Sequence, residues 1–128
     1  MNKTIFCTGI LFGALSVVFG AFGAHGLKNL LDSTEIATFN TGVTYQMYHA
    51  LVLLILGGVS KIPEKEKKVV YWIFTLGIVL FSFSIYLLAT NSLTSINFKI
   101  IAFSTPVGGL LLVCGWILFG YHYLKEKN

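Results

Sequence analysis

His49 follows Tyr45 by four residues and Gln46 by three. In a helix, Thr38, Thr41, Gly42, Tyr45, Gln46 and His49 therefore share one face. An imidazole and an amide with phenols beside them, Tyr48 included, offer few chemistries: proton transfer, metal or haem ligation, nucleophile activation, or hydrogen bonding to a polar ligand. Zinc needs further protein ligands that the chain does not group, and no serine has a histidine and an acid arranged behind it. Two histidines can hold a haem only from facing positions at similar depth, and only His25 could join His49, from a loop. Proton-coupled export normally uses a carboxylate inside the membrane; none falls within an apolar segment. Hydrogen bonding is left, either between helices or to a bound molecule.

The elements that must carry these groups are membrane helices. Of 128 residues 55% are hydrophobic and only 11% charged, and the mean hydropathy is +0.80, too apolar for an ordinary soluble domain. Crossing about 30 Å of hydrocarbon takes about 20 apolar residues at 1.5 Å each. Four runs qualify, Ile5 to Ala24, Thr41 to Ser60, Val69 to Thr90 and Ile100 to Tyr121. They are apolar all round rather than alternating, which excludes a membrane β-barrel. The expected fold is an all-α integral membrane four-helix bundle, a single four-span domain over residues 1–128, with helices at about 5–24, 33–60, 69–91 and 99–123. A short interfacial amphipathic segment is expected at about 27–32, where Leu27, Leu30 and Leu31 would lie on the membrane surface. Asp32 and Glu35 form an acidic capping box, so the second helix starts near Ser33. Pro106 should kink the fourth helix and free the carbonyl near Ala102.

All nine basic residues are lysines. Lys3, Lys61, Lys65, Lys67, Lys68, Lys125 and Lys127 fall on one side of a four-span topology, Lys28 and Lys99 on the other. The positive-inside rule then places both termini in the cytoplasm. The net charge of +4 is a matter of topology and does not indicate nucleic-acid binding. Cys7 and Cys114 lack metal-ligand spacing and read as buried small residues. The first run also resembles a secretory signal. However, Gly9, Gly13, Ser16, Gly20 and Gly23 repeat at spacings of four and three, a stripe that lets another helix approach closely, and this favours a retained span. Gly108 and Gly115 offer the fourth helix a similar surface.

Under this topology His25, His49, Ser84, Tyr86, Ser104 and Thr105 all lie toward the outer leaflet. With Tyr45, Gln46 and Tyr48 they make a candidate polar pocket opening outward; no catalytic residue, metal site or cofactor is expected. Interhelical hydrogen bonding is the more common use of such residues.

The motifs GAFGAHGL (Gly20 to Leu27), TYQMYHAL (Thr44 to Leu51), FSFSIY (Phe81 to Tyr86) and TPVGG followed by GW (Thr105 to Trp116) together resemble a family of small bacterial membrane proteins. It is known as domain of unknown function 423 and as uncharacterised protein family 382, with small eukaryotic transmembrane relatives. The resemblance spans nearly the whole chain and implies a retained first span and an inner-membrane location. It brings no reaction with it. The expected function is non-enzymatic: binding a lipid or small amphipathic ligand in the outer leaflet and supporting membrane integrity, with membrane lipids as partners. The alternatives are a small transporter or channel component, oligomeric through the glycine faces of the first and fourth spans, and a haem or redox subunit.

Overall fold

The computed structural model describes residues 2–127, which fold into four long helices with no strand among them. Helix α1 spans Lys3–His25, and α2 spans Ser33–Gly58. Helix α3 runs Glu64–Ala89, made of an α-helical part Glu64–Ile78, a π-helical turn Val79–Phe83 and a last α-helical part Ser84–Ala89. Helix α4 is Ser104–Lys125, entered through a 3₁₀ turn, Lys99–Phe103. Helix α1 packs chiefly on α2, α4 chiefly on α3, and α2 and α3 meet at the centre. The shared core includes Ile5, Phe12, Leu53, Leu56, Phe74, Ile78 and Leu112.

Three helices, α1, α3 and α4 with its lead-in, are long and apolar enough to cross a membrane. Helix α2 is long enough, about 39 Å at 1.5 Å per residue, but its threonines, tyrosines, Gln46 and His49 make it the least apolar of the four.

Glycine sets how closely the helices approach. A Cβ on Gly9 would stand 2.9 Å from the carbonyl oxygen of Ala50, and one on Gly57 2.9 Å from the backbone nitrogen of Phe6. The predicted stripe on α1 thus faces α2, with Gly20 against Val43 and Gly23 against Phe39; Gly13 sits more loosely over Ala50. On α4, a Cβ at Gly108 would overlap the backbone of Leu80 and Phe81, and one at Gly115 would lie 2.7 Å from the ring of Phe74. These glycines of α1 and α4 are thus packed against helices of the same chain.

Asn2 closes one end of the bundle. Its side-chain oxygen caps α1 at Ile5 N (3.1 Å), its amide donates to Glu64 (2.7 Å), and its backbone N–H donates to Gly57 O (2.8 Å). The Lys61 ammonium lies 4.4 Å from the centroid of the Tyr123 ring. These contacts gather the N-terminal residues, the α2–α3 turn and the end of α4 at a single lysine-rich end. At the far end Ser92 donates to Glu35 (2.6 Å).

Several local expectations differ from the structure. Helix α3 begins at Glu64, ahead of the expected start near residue 69, because Pro63 occupies its N-cap and Glu64 and Glu66 suit the positive helix end. Within it, Lys67 is buried and reaches Glu64 at 3.5 Å. Residues 27–31 form a turn that tucks Leu27 and Leu31 into a second core with Phe39, Tyr86 and Ala89; Leu30 alone points out. Pro106 causes no mid-helix kink, since it lies in the first turn of α4's α-helical part, where an absent N–H costs little. Cys7 faces outward and Cys114 is half-buried. The capping box stands as read, with Asp32 accepting from Glu35 N (2.8 Å) and Glu35 from Asp32 N (3.0 Å).

Candidate functional site

Gln46 holds the middle of the bundle together. It is fully buried on the inward face of α2. Its Nε2 donates to the Phe12 carbonyl of α1 (2.9 Å), and its Oε1 accepts from the Tyr86 hydroxyl of α3 (2.5 Å). One side chain thereby joins three helices. Tyr86 reaches it because Gly42 leaves room: a Cβ there would lie 2.7 Å from the Tyr86 ring. The Gly42 carbonyl in turn accepts from Ser82 Oγ (2.8 Å).

His49 sits one turn further along α2. Trp116 of α4 donates its indole N–H to His49 Nε2 (3.0 Å), and His49 Nδ1 lies 2.7 Å from the Tyr45 carbonyl. A carbonyl only accepts and an indole N–H only donates, so the two contacts together demand a neutral ring with its proton on Nδ1. Both nitrogens are thus engaged. Neither is left for a metal, a haem iron or a substrate proton without breaking a bond to its own helix or to α4.

Ser84 serves the far end. Its Oγ lies 2.7 Å from Thr105 Oγ1 and within reach of the Leu80 (2.6 Å) and Phe81 (2.9 Å) carbonyls. Both carbonyls belong to the π turn, where the helical ladder is wider, and the Ser84 backbone N–H also donates to Phe81 O.

The sequence-predicted residues therefore separate into three groups. Gln46 and Tyr86 pair directly, His49 pairs with Trp116, and Ser84 pairs with Thr105. Tyr45 and Tyr48 point out of the bundle, and neither phenolic hydroxyl has a partner among the described residues. His25 is exposed at the end of α1, and Ser104 is half-buried with no side-chain hydrogen bond. Polar pairing also occurs nearer the lysine-rich end, where Thr8 and Tyr71 share a hydrogen bond (3.0 Å). Sequence reasoning did not place Trp116 or Ser82 in the site. Trp116 lies 67 residues from His49 along the chain, and an indole in an apolar helix reads as a lipid-facing residue.

An open polar pocket does not form around these groups. What opens beside them is an apolar groove of about 350 Å³ lined by Phe19, Phe22, Phe39, Phe83, Tyr86, Leu87 and Thr90. Tyr86 forms its floor, its hydroxyl turned inward to Gln46 and its ring packed against Phe19 (5.1 Å) and Phe39 (4.9 Å). Among the described residues no three His, Cys, Asp or Glu side chains could hold a metal ion. The two histidines do not fit a haem either, with His49 bonded at both nitrogens and His25 out at a helix end.

Residues 19–109, which carry Gln46, His49, Ser84, Tyr86, Thr105 and the whole groove, match the family described as "Protein of unknown function (DUF423)". The chain belongs to the DUF423 family. The DUF423 chain is similar to a UPF0382 membrane protein of Staphylococcus saprophyticus, 41% identical over 91% of this chain and 92% of that one. It is similar also to the UPF0382 membrane protein YwdK of Bacillus subtilis (36% identical over 91% and 92%) and to a UPF0382 membrane protein of Haemophilus influenzae (34% over 92% and 91%). No solved structure matches the chain. It is a membrane protein of a family without an assigned activity.

Proposed function

We propose that this DUF423 protein is a non-enzymatic component of the bacterial inner membrane that holds the acyl chain of a lipid, or a similar amphipathic molecule, in the aromatic groove between α1, α2 and α3, and so supports membrane integrity. Both termini lie in the cytoplasm on this reading, which the seven lysines at the Asn2 end and the two at the other support. The groove then opens in the outer half of the bilayer.

The observation that carries the reading is the contrast between the groove and the polar core behind it. The groove presents aromatic rings and almost no polar surface, and the hydroxyl that could have made it polar is spent on Gln46. Its volume suits part of one acyl chain, and hydrocarbon is what surrounds it. The closed pairing of Gln46 and His49 speaks against a transport path, which would need polar groups free to exchange partners along the bundle.

Photolabelling tests this. A phospholipid with a diazirine in its acyl chain, reconstituted with the protein, should label Phe19, Phe22 and Leu87 several-fold above the outward residues of α4, and Leu87→Trp should suppress the labelling. Equal labelling of all outward apolar positions would overturn the proposal.

A further inference from the structure

At the lysine-rich end, α1 and α3 leave between them a cleft of about 590 Å³ that shares no residue with the aromatic groove. Two hydrogen bonds set the register of the helices around it, Asn2 to Glu64 (2.7 Å) at the helix ends and Thr8 to Tyr71 (3.0 Å) deeper in the bundle. Tyr71 is buried at the floor, and Thr4 of α1 faces Glu64, Lys68 and Trp72 of α3 across the opening. Interpolating between the two bonds puts Thr4 at about the depth of Lys68.

Glu64, Lys68 and Trp72 follow one another four residues apart, so they form one row on α3, about 6 Å from one to the next. A glutamate four residues ahead of a lysine is the orientation that favours an ion pair. That pair does not close. Glu64 turns instead to the Asn2 amide and to Lys67 (3.5 Å), and Lys68 has no ion pair among the described residues. The Trp72 ring packs on Tyr71 (5.2 Å) and is half exposed, and its indole N–H has no hydrogen-bond partner among the described residues. A carboxylate has about four acceptor sites, so Glu64 keeps room for a further donor.

Helix α3 begins at Glu64, which therefore stands outermost. From water toward hydrocarbon the row reads carboxylate, ammonium, indole. A phospholipid whose headgroup ends in a primary amine reads, in the same direction, ammonium, phosphate, ester carbonyl. Each group of the lipid thus meets its complement at its own depth. A phosphatidylglycerol has no cation to offer Glu64, and the quaternary ammonium of phosphatidylcholine has no N–H to donate.

We infer that this cleft is a headgroup site for a phospholipid with a primary amine, such as phosphatidylethanolamine, drawn from the leaflet at the lysine-rich end. Glu64 takes the ammonium, Lys68 and the Thr4 hydroxyl take the phosphate, and the Trp72 indole donates to an ester carbonyl. Trp72 sits where aromatic side chains anchor a span at the membrane surface, which selects the lipid over a water-soluble form of the same headgroup. The site lies at the opposite end of the bundle from the aromatic groove and does not depend on what the groove holds.

Native mass spectrometry of the full chain tests the assignment, using the Leu87→Trp variant so that the groove does not contribute. The chain is released from micelles holding equal amounts of phosphatidylethanolamine, phosphatidylcholine and phosphatidylglycerol with matched acyl chains. The first should be retained about fivefold over each of the others. Glu64→Gln, which keeps an acceptor for Asn2, should leave binding in place and erase the preference over phosphatidylcholine. Lys68→Ala should lower retention of all three about fivefold, while Lys65→Ala, which removes an equal charge outside the cleft, should change nothing. All three substituted side chains are exposed, so helix content and unfolding midpoint should match the parent. Equal retention of the three lipids would overturn the inference, and so would strongest retention of phosphatidylglycerol, which would reflect the general positive charge of this end. A preference that survives Glu64→Gln would also refute it. Displacement of the lipid by excess glycerophosphoethanolamine would refute the lipid as the source of the headgroup.

Discussion

Helix α2 has two polar faces that differ in how their groups are satisfied. The inward face carries Gln46 and His49, and each of their side-chain nitrogen and oxygen atoms has a partner on another helix or one turn back. The outward face carries Thr44, Tyr45 and Tyr48, whose side-chain hydroxyls have none among the described residues. Both faces carry polar residues, so polarity alone does not show which groups hold a membrane helix in its bundle. The distinction lies in whether the chain's own fold completes the hydrogen bonds.

Adjacent glycines give the sharpest way to break that contrast. Leucine at Gly57 must displace the backbone of Phe6 and Asn2, and should lower stability by about 3 kcal/mol or prevent assembly. Leucine at Gly58 meets nothing in the fold and should leave the unfolding midpoint in detergent unchanged. Equal destabilisation by the two would mean that the two faces of α2 are not distinct. Next in size, Gln46→Leu leaves the Tyr86 hydroxyl without its acceptor, at a cost of about 2 kcal/mol. In a double-mutant cycle with Tyr86→Phe the second substitution should add much less than it costs alone, whereas strict additivity would show that the bond is not a shared stabilising contact. The smallest effect belongs to the outward face: Tyr48→Phe should change stability by less than about 0.5 kcal/mol, read by reversible unfolding in mixed micelles.

Much of this architecture was legible in the residues. Apolar run lengths located the helices, lysine placement grouped the ends that Asn2 and Lys61 join in space, and the Asp32 and Glu35 pair marked the start of α2. The glycine stripe on α1 was visible, although only the fold shows that α2 fills it. The candidate site was less legible. Spacing put Gln46, His49 and Tyr45 on one face of α2; the structure buries the first two and leaves Tyr45 at the rim, its ring against Phe81, because residues three and four apart span a wide arc and only packing decides where the bundle's interior ends. The partners lay far away in sequence: Phe12 offers a backbone carbonyl, which no residue type announces, and Trp116 comes from the last helix. The π turn at Val79–Phe83 has no local signature in the residues; the backbone of Leu80 and Phe81 lies there against Gly108.

That π turn also bears on how the chain can change length. A π turn accommodates one residue more than the α-helix on either side of it. Loss of a single residue between Val79 and Phe83 would let α3 close into a continuous α-helix while Phe74 and Tyr86 kept their facings. A deletion elsewhere in α3 would swing every later side chain by about 100°. Relatives one residue shorter in this stretch, and whole everywhere else in the helix, would be the natural trace of that tolerance.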